Sequence, residues 1–300
     1  MSENVITFVA NGPYLNHARA FMVNAKINGS YQGDFCHIAP ADTPETDFQQ
    51  RGIHVFHVFT VPAHGWNYLL KFWAFAPYFR LWKRALAIDL DVMVQGPLEP
   101  LFQTLGARLP KIQADLEDGT IIGGLRYWDP KASEHEAVFQ EIERRFPWAT
   151  ERMFNAAFLF YEPAAMEDDT IEQLQKLAEE FSVINPAAAD QMVLNLLLWP
   201  RMELAGKDAI CFFGCDMKPN RVPSEFRKWR GDEHPAILHY TSGHAPWIIK
   251  PALSEKEKQA LIDINCVPEV GGYSNDRLGV VCHEHYASCL AAFDREFPLL

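Results

Sequence analysis

The run Ala87-Ile88-Asp89-Leu90-Asp91-Val92-Met93-Val94 constrains this chain more than any other stretch. Apolar, partly β-branched residues are interrupted by two carboxylates with one residue between them. The pattern predicts a core strand over residues 86–94. Side chains alternate along a strand, so Asp89 and Asp91 share one face and Leu90 takes the other. Like charges on one apolar face repel each other and resist desolvation. A divalent cation removes both penalties, so the run marks a hard-metal site at a strand end, and a metal there points to phosphate chemistry. The competing reading is a solvated strand end whose aspartates cap a turn.

The segments before this run alternate in type. Residues 5–10 read as a first strand closed by the loop signal Asn11-Gly12-Pro13, and residues 15–27 have helical spacing. Residues 53–61 show a period of two, while residues 69–82 form an aromatic-rich helical segment bent at Pro77. Strands separated by helices predict a parallel α/β sheet, and such sheets gather ligands at the carboxyl ends of their strands. Further on, Ile121-Ile122-Gly123-Gly124-Leu125 reads as a short strand and turn. Helices are expected at residues 133–146, 170–181, 188–199 and 284–297, and strands at 154–161 and 236–240. A capping-box pair, Ser254 and Glu257, opens another short helix.

At 300 residues, 48% hydrophobic and 22% charged, the chain has the make-up of a soluble protein with a full-sized core. A net charge of −12 argues against nucleic acid or anionic lipid as the main partner. No apolar run approaches the roughly 20 residues of a membrane span. The N-terminus lacks the basic segment of a signal peptide. Six scattered cysteines without a CxxC pair read as reduced thiols, so the expected compartment is the cytoplasm.

A second candidate site is His239-Tyr240-Thr241-Ser242-Gly243-His244-Ala245-Pro246-Trp247, which starts as a strand ends and passes into a loop of small residues. Neutral imidazole can join carboxylates around a first-row metal such as manganese. Cys282-His283-Glu284-His285 lacks a second pair at zinc-finger spacing and is not taken as a metal site.

The order of these blocks resembles glycosyltransferase family 8, the retaining sugar-nucleotide transferases that include glycogenin and bacterial lipooligosaccharide galactosyltransferases. Phe8-Val9-Ala10-Asn11-Gly12-Pro13-Tyr14 is similar to the family's first strand and nucleotide-binding loop, with Asn11 where an aspartate is usual. Lys71 falls where the family has a basic residue before the metal strand, and Asp89-Leu90-Asp91 matches its DXD metal motif. Phe154-Asn155-Ala156-Ala157 resembles the family's Phe-Asn-Ser-Gly strand, with Ala157 departing from the glycine. Ala189-Asp190-Gln191-Met192-Val193-Leu194-Asn195 resembles its Asp-Gln helix, and the block from His239 to Trp247 matches its metal-histidine loop in spacing. Two departures fall in that loop: Ala245 stands where a lysine usually reaches the donor phosphate, and Ser242 where a glycine is usual.

The resemblance implies a GT-A fold, an α/β nucleotide-diphospho-sugar transferase domain with a mixed, mainly parallel central sheet flanked by helices. The catalytic domain is expected over residues 1–250, with residues 251–300 a helical extension packed on it. Mn²⁺ or Mg²⁺ would be held by Asp89, Asp91 and His239. A nucleotide-sugar donor, UDP-glucose or UDP-galactose, would bind Ala10, Asn11, Tyr14, Lys71, Asp89, Leu90, Asp91, Gly243 and His244. Asn155, Asp190 and Gln191 are expected around the sugar as catalytic residues, with Gln191 nearest the anomeric carbon. Family members acting on membrane lipids often end in a basic, aromatic tail, whereas residues 251–300 carry four Lys or Arg against eight Asp or Glu. The expected acceptor is therefore a soluble glycan or a protein-linked one, with assembly into a homo-oligomer left open. Two alternatives stay open. One is a sugar-nucleotide hydrolase or nucleotidyltransferase, although the Gly-rich basic loop that the latter needs is missing. The other is a catalytically weakened sugar-nucleotide or glycan-binding protein, suggested by Ala245 and Ser242.

Overall fold

Strand β1 (Asn4–Val9) sits at the heart of the chain, with Val5, Ile6, Thr7 and Phe8 all buried. Burial on both faces is what a central strand of a parallel sheet requires. At its end Gly12 adopts a left-handed turn (φ +49°), and helix α1 (Tyr14–Ile27) begins. The computed structural model describes residues 2–12, 14–41, 43, 47–59, 67–94, 96–184, 189–205, 210–213, 236–240 and 278–300.

Strands β2 (Asp34–Pro40) and β3 (His54–Val58) continue outward from β1 in parallel, and β4 (Arg84–Ile88) pairs with its other edge, also in parallel. Beyond β4 lies β7 (Arg152–Tyr161), which runs antiparallel. Next come β6 (Ile112–Thr120) and β8 (Met202–Leu204). The seven-stranded sheet has the order β3-β2-β1-β4-β7-β6-β8, mixed and mainly parallel as expected. A second sheet of three strands, ordered β5-β10-β9, joins β5 (Val92–Val94) to β10 (Ile237–Tyr240) and β9 (Ile210–Phe213).

Helices cover both faces of the large sheet. One apolar layer is capped by α1, α2 (Leu98–Gly106) and the last helix, α7 (Leu278–Glu296). The other packs beneath α3 (Ile121–Trp128), α4 (Glu136–Arg145), α5 (Thr170–Glu180), α6 (Ala189–Leu198) and the aromatic residues 67–81. Among the described residues no helix is long and apolar enough to cross a membrane.

Three local expectations are corrected. The run over residues 86–94 is two strands in two sheets: β4 stops at Ile88, and residues 89–91 form the link to β5. The aromatic segment is a pair of 3-10 helices, Asn67–Phe75 and Pro77–Leu81, because Pro77 drives Ala76 into an extended conformation (ψ 147°). The Gly123-Gly124 segment is helix α3, started by Thr120, whose Oγ1 accepts from Gly123 N–H at 3.0 Å. A Cβ on Gly124 would lie 2.9 Å from Met153 Sδ, so the pair of glycines marks close helix–strand packing rather than a turn. The expected short helix at Ser254 lies outside the described residues.

His37, at the centre of β2, is wholly buried, stacks on Phe8 and shares a 2.7 Å hydrogen bond through Nε2 with the carbonyl of Ala10. Burial pushes its imidazole down to about 4 from the ordinary 6.5, with a lesser push from His57. The unfolded chain therefore binds more protons than the native state between these two values. The native state is fully favoured above pH 6.5 and loses that advantage as pH falls toward 4. His37→Gln keeps a donor for Ala10 and removes the titration. The stability difference between wild type and this variant is expected to shift against wild type by about 2 kcal/mol from pH 7 to pH 5, read from urea midpoints.

Candidate functional site

Where β4 ends, Asp89 N–H donates to the carbonyl of Ala157 on β7 at 3.0 Å, the last rung before the chain leaves the sheet. Leu90 is buried and pins the link to the apolar layer, while Asp89 and Asp91 stay partly open. The chain then enters β5, which pairs antiparallel with β10 so that Val92 stands opposite His239. This register brings residues from far apart in sequence to one point: His239 Nε2 lies 3.3 Å from Asp91 Oδ1. Asp89, Asp91 and His239 each offer one ligand atom, all within 4.8 Å of one another. Two carboxylate oxygens and an imidazole nitrogen suit Mn²⁺ or Mg²⁺.

Lys71, from the first 3-10 helix, enters the same cleft. Its ammonium lies 2.6 Å from Asp89 Oδ1 and 3.0 Å from Asp190 Oδ2, with little solvent exposure. Burial alone would lower the Lys71 pKa, but Asp190 and Asp89 outweigh it and drive the value upward. Burial, and then the nearby charge of Asp91, push the Asp89 carboxyl above its usual range despite the lysine. Asp91 feels burial too, yet His239 holds it below its usual range. The like-charge strain on Asp89 is what a bound cation would relieve, so the residues present fit a divalent ion.

Asn155 and Gln191 stand where the β6–β7 ladder is interrupted, and Asp190 precedes Gln191 on α6. On β7, Leu159 pairs with Ala114 of β6, but the next β6 residue, Asp115, pairs with Asn155. Ala156, Ala157 and Phe158 lie between and lose the β6 ladder. Side-chain amides replace it. Gln191 Oε1 accepts from Ala156 N–H at 3.3 Å, and Asn155 Oδ1 from Ala157 N–H at 2.7 Å. Asn195, one turn after Gln191 on α6, accepts from Phe154 N–H and donates to Phe154 C=O, each at 2.8 Å. It also donates to the Gln191 carbonyl at 2.8 Å. Asn195 was not among the sequence candidates. Its signal is a polar residue four positions after Gln191 on an apolar helix, a buried group that needs partners.

Ala10, Asn11 and Tyr14 stand at the carboxyl end of β1. That end lies at the same sheet edge as Asp89, because β1 and β4 are parallel neighbours with Thr7 opposite Ala87. The Asn11 carbonyl accepts from Tyr14 N–H at 3.0 Å, and the Tyr14 ring is half exposed, edge-on to His17. Gly243 and His244, with Ser242, Ala245 and Trp247, lie outside the described residues.

No protein-family model matches the chain. Among curated proteins it is similar to the glycosyltransferase GlyB of Streptococcus pneumoniae serotype 4, at 25% identity over 206 residues that make up 65% of this chain and 42% of that protein. The chain thus spans less than half the length of this relative. The solved structure of glycosyltransferase GlyE of Streptococcus pneumoniae TIGR4 aligns with a TM-score of 0.57 at 17% identity, covering 100% of this chain and 66% of that one. A galactosyltransferase LgtC structure, in complex with donor and acceptor sugar analogs, aligns with a TM-score of 0.54 at 15% identity, covering 88% and 98%. The chain has the GT-A fold of these neighbours.

Removing Lys71 leaves Asp89 and Asp190 facing each other in a poorly solvated cleft. Lys71→Met is expected to destabilise the protein by about 3 kcal/mol at neutral pH, the low end for breaking a buried pair because Asp89 is partly solvated. Lys71 is what holds the raised Asp89 carboxyl down, so without the ammonium that carboxyl is pushed further up in the folded state, and the loss is relieved as pH falls. Unfolding curves of the variant should approach those of wild type as pH falls below neutral. A constant difference between pH 5 and 8 would show that the loss comes from packing alone.

Proposed function

We propose that this chain is a metal-dependent, retaining glycosyltransferase that moves a hexose from a nucleotide sugar, UDP-glucose or UDP-galactose, to a glycan or protein-linked acceptor. The observation that carries the reading is the convergence of Asp89, Asp91 and His239 at the carboxyl edge of the sheet. Support also comes from LgtC, a galactosyltransferase solved with donor and acceptor sugar analogs. When bound, Mn²⁺ or Mg²⁺ would offset the charge that builds on the departing diphosphate.

The chain's own groups then take these parts. Asn11 and Tyr14 would flank the base, with Ala10 held by His37 and Leu90 anchoring the metal link. Lys71 fixes Asp89 and Asp190 relative to each other, so the donor meets a preset arrangement. Asp190 would accept from sugar hydroxyls, and Asn155 would contribute further polar contacts where the β7 ladder is interrupted. Gln191 would lie near the anomeric carbon; an active-site variant of LgtC in which glutamine is replaced by glutamate has been solved with the same fold (TM-score 0.56). Here the Gln191 oxygen is engaged by Ala156 N–H. An amide oxygen held in this way is a weak nucleophile, which favours attack from the leaving-group side over a covalent intermediate. Gly243 and His244 complete the proposed donor site, and the cytoplasm remains the proposed compartment.

Asp91→Asn is expected to lower turnover by on the order of 100-fold, and His239→Ala by roughly tenfold. The assay is UDP release from UDP-glucose and UDP-galactose in Mn²⁺, with and without sugar acceptors. Full activity of Asp91→Asn in the presence of EDTA would refute the metal assignment. Release of UDP that no acceptor accelerates would favour a hydrolase. Metal-dependent thermal stabilisation by the donor without turnover would favour a binding protein.

A further inference from the structure

Helix α7 is joined to α1 by a polar seam as well as apolar packing. His17 Nδ1 meets the Tyr286 hydroxyl at 2.7 Å, and His285 Nε2 lies 3.0 Å from Asn24 Nδ2 and 3.1 Å from Asn28 Nδ2. Asn24 is almost wholly buried, and both ends of its amide are used. Its Oδ1 accepts from Val94 N–H at 2.5 Å, which fixes the other end as NH₂. That end donates to the Val94 carbonyl at 3.2 Å and to His285, so His285 Nε2 must be the acceptor. Asn28 repeats both contacts, with the Val94 carbonyl at 3.4 Å.

Val94 is the last residue of β5. The opposite edge of β5 pairs with β10, Val94 against Ile237 and Val92 against His239. One edge of this three-residue strand therefore has a β-ladder, and the other has the Asn24 amide acting as a substitute strand. Asp91 immediately precedes β5, and His239 stands beside Asp91 through this pairing.

We infer that Asn24 and His285 form a latch by which the last helix holds β5, and with it Asp91 and His239, in the geometry that binds a divalent cation. The inference rests on the reading of Asp89, Asp91 and His239 as metal ligands. Asn24 and His285 are positioning residues in this scheme and touch no ligand atom. Their effect should therefore appear in metal affinity.

The test is titration of the full chain with Mn²⁺ alone, following free Mn²⁺ by electron paramagnetic resonance, with no donor sugar present. His285→Phe removes the acceptor and is expected to weaken Mn²⁺ binding about tenfold, the usual scale for a group that orients metal ligands. His285→Gln, whose amide oxygen can accept from Asn24, should keep near wild-type affinity. Arg51→Met severs a different tie to α7, the 2.8 Å ion pair with Asp294; it should lower the melting temperature and leave the Mn²⁺ affinity unchanged. The latch is overturned if His285→Phe binds Mn²⁺ like wild type while Asp91→Asn does not bind it, which leaves the metal site standing. It is also overturned if Arg51→Met or His285→Gln weakens binding as much as His285→Phe. Equal Mn²⁺ binding by wild type and Asp91→Asn would remove the metal site itself. Should His285→Phe fail to fold, Asn28→Ala is the milder probe, with an expected loss of about threefold and the same reading of an unchanged affinity.

Discussion

The site depends first on the Lys71 ammonium, lodged between Asp89 and Asp190. It joins the end of the central strand β4 to the first turn of α6. Asp89, Asp91 and Asp190 set three carboxylates against one ammonium in a cleft with little solvent. Two unbalanced negative charges remain, and a divalent cation would balance them, equal in number and opposite in sign. The lysine thus acts as a fixed counter-ion that makes the cleft tolerable when empty. It would leave the attraction for a divalent cation in place.

Interrupting a β-ladder leaves backbone groups that must find other partners, because an unpaired buried N–H costs about 1–3 kcal/mol. This protein meets the requirement with amide side chains. Gln191 and Asn155 serve the skipped residues of β7, Asn195 serves Phe154, and Asn24 serves the outer edge of β5. An Asn or Gln side chain carries the same donor and acceptor as a peptide unit, so it can end a ladder without burying an unsatisfied group. Such bonds also fix the side chains that make them. Gln191 and Asn155 are therefore held in place by the backbone they satisfy, and that rigidity is available to the chemistry proposed for them.

Much of this arrangement was legible in the residues. Asp89 and Asp91 do share a cleft with His239, but strand alternation is not the cause: residues 89–91 lie between strands of two different sheets, and burial of Leu90 sets the two carboxylates. Lys71 shares this cleft through its pairing with Asp89, on a segment that is 3-10 helical. The Gly123-Gly124 pair misled because glycine reports close approach as readily as a turn, and the packed sulfur of Met153 is invisible in one dimension. Strand β2 went unread because it is buried over most of its length, and a strand with both faces covered shows no alternation. The roles of Asn24, Asn195 and His285 cannot be read in one dimension, since their partners (backbone groups of Val94 and Phe154, and for His285 the Asn24 and Asn28 amides) are brought near only by the tertiary fold.

The two sheets explain why the site is held from several sides. Asp89 ends a strand of the large sheet, whereas Asp91 leads into the small one and His239 lies within it. β5 joins the small sheet only by meeting β10, a pairing across almost half the chain, so loop-closure entropy opposes it before any local contact is gained. A three-residue strand gains little from its own ladder. Its stability must come from what grips its two edges, which are β10 on one side and the α1–α7 seam on the other. A cation bridging Asp89 to Asp91 and His239 would add a cross-link between the sheets at the point where the chain passes from one to the other. By linkage, whatever loosens the small sheet must weaken that cation, and the cation in turn must steady the small sheet.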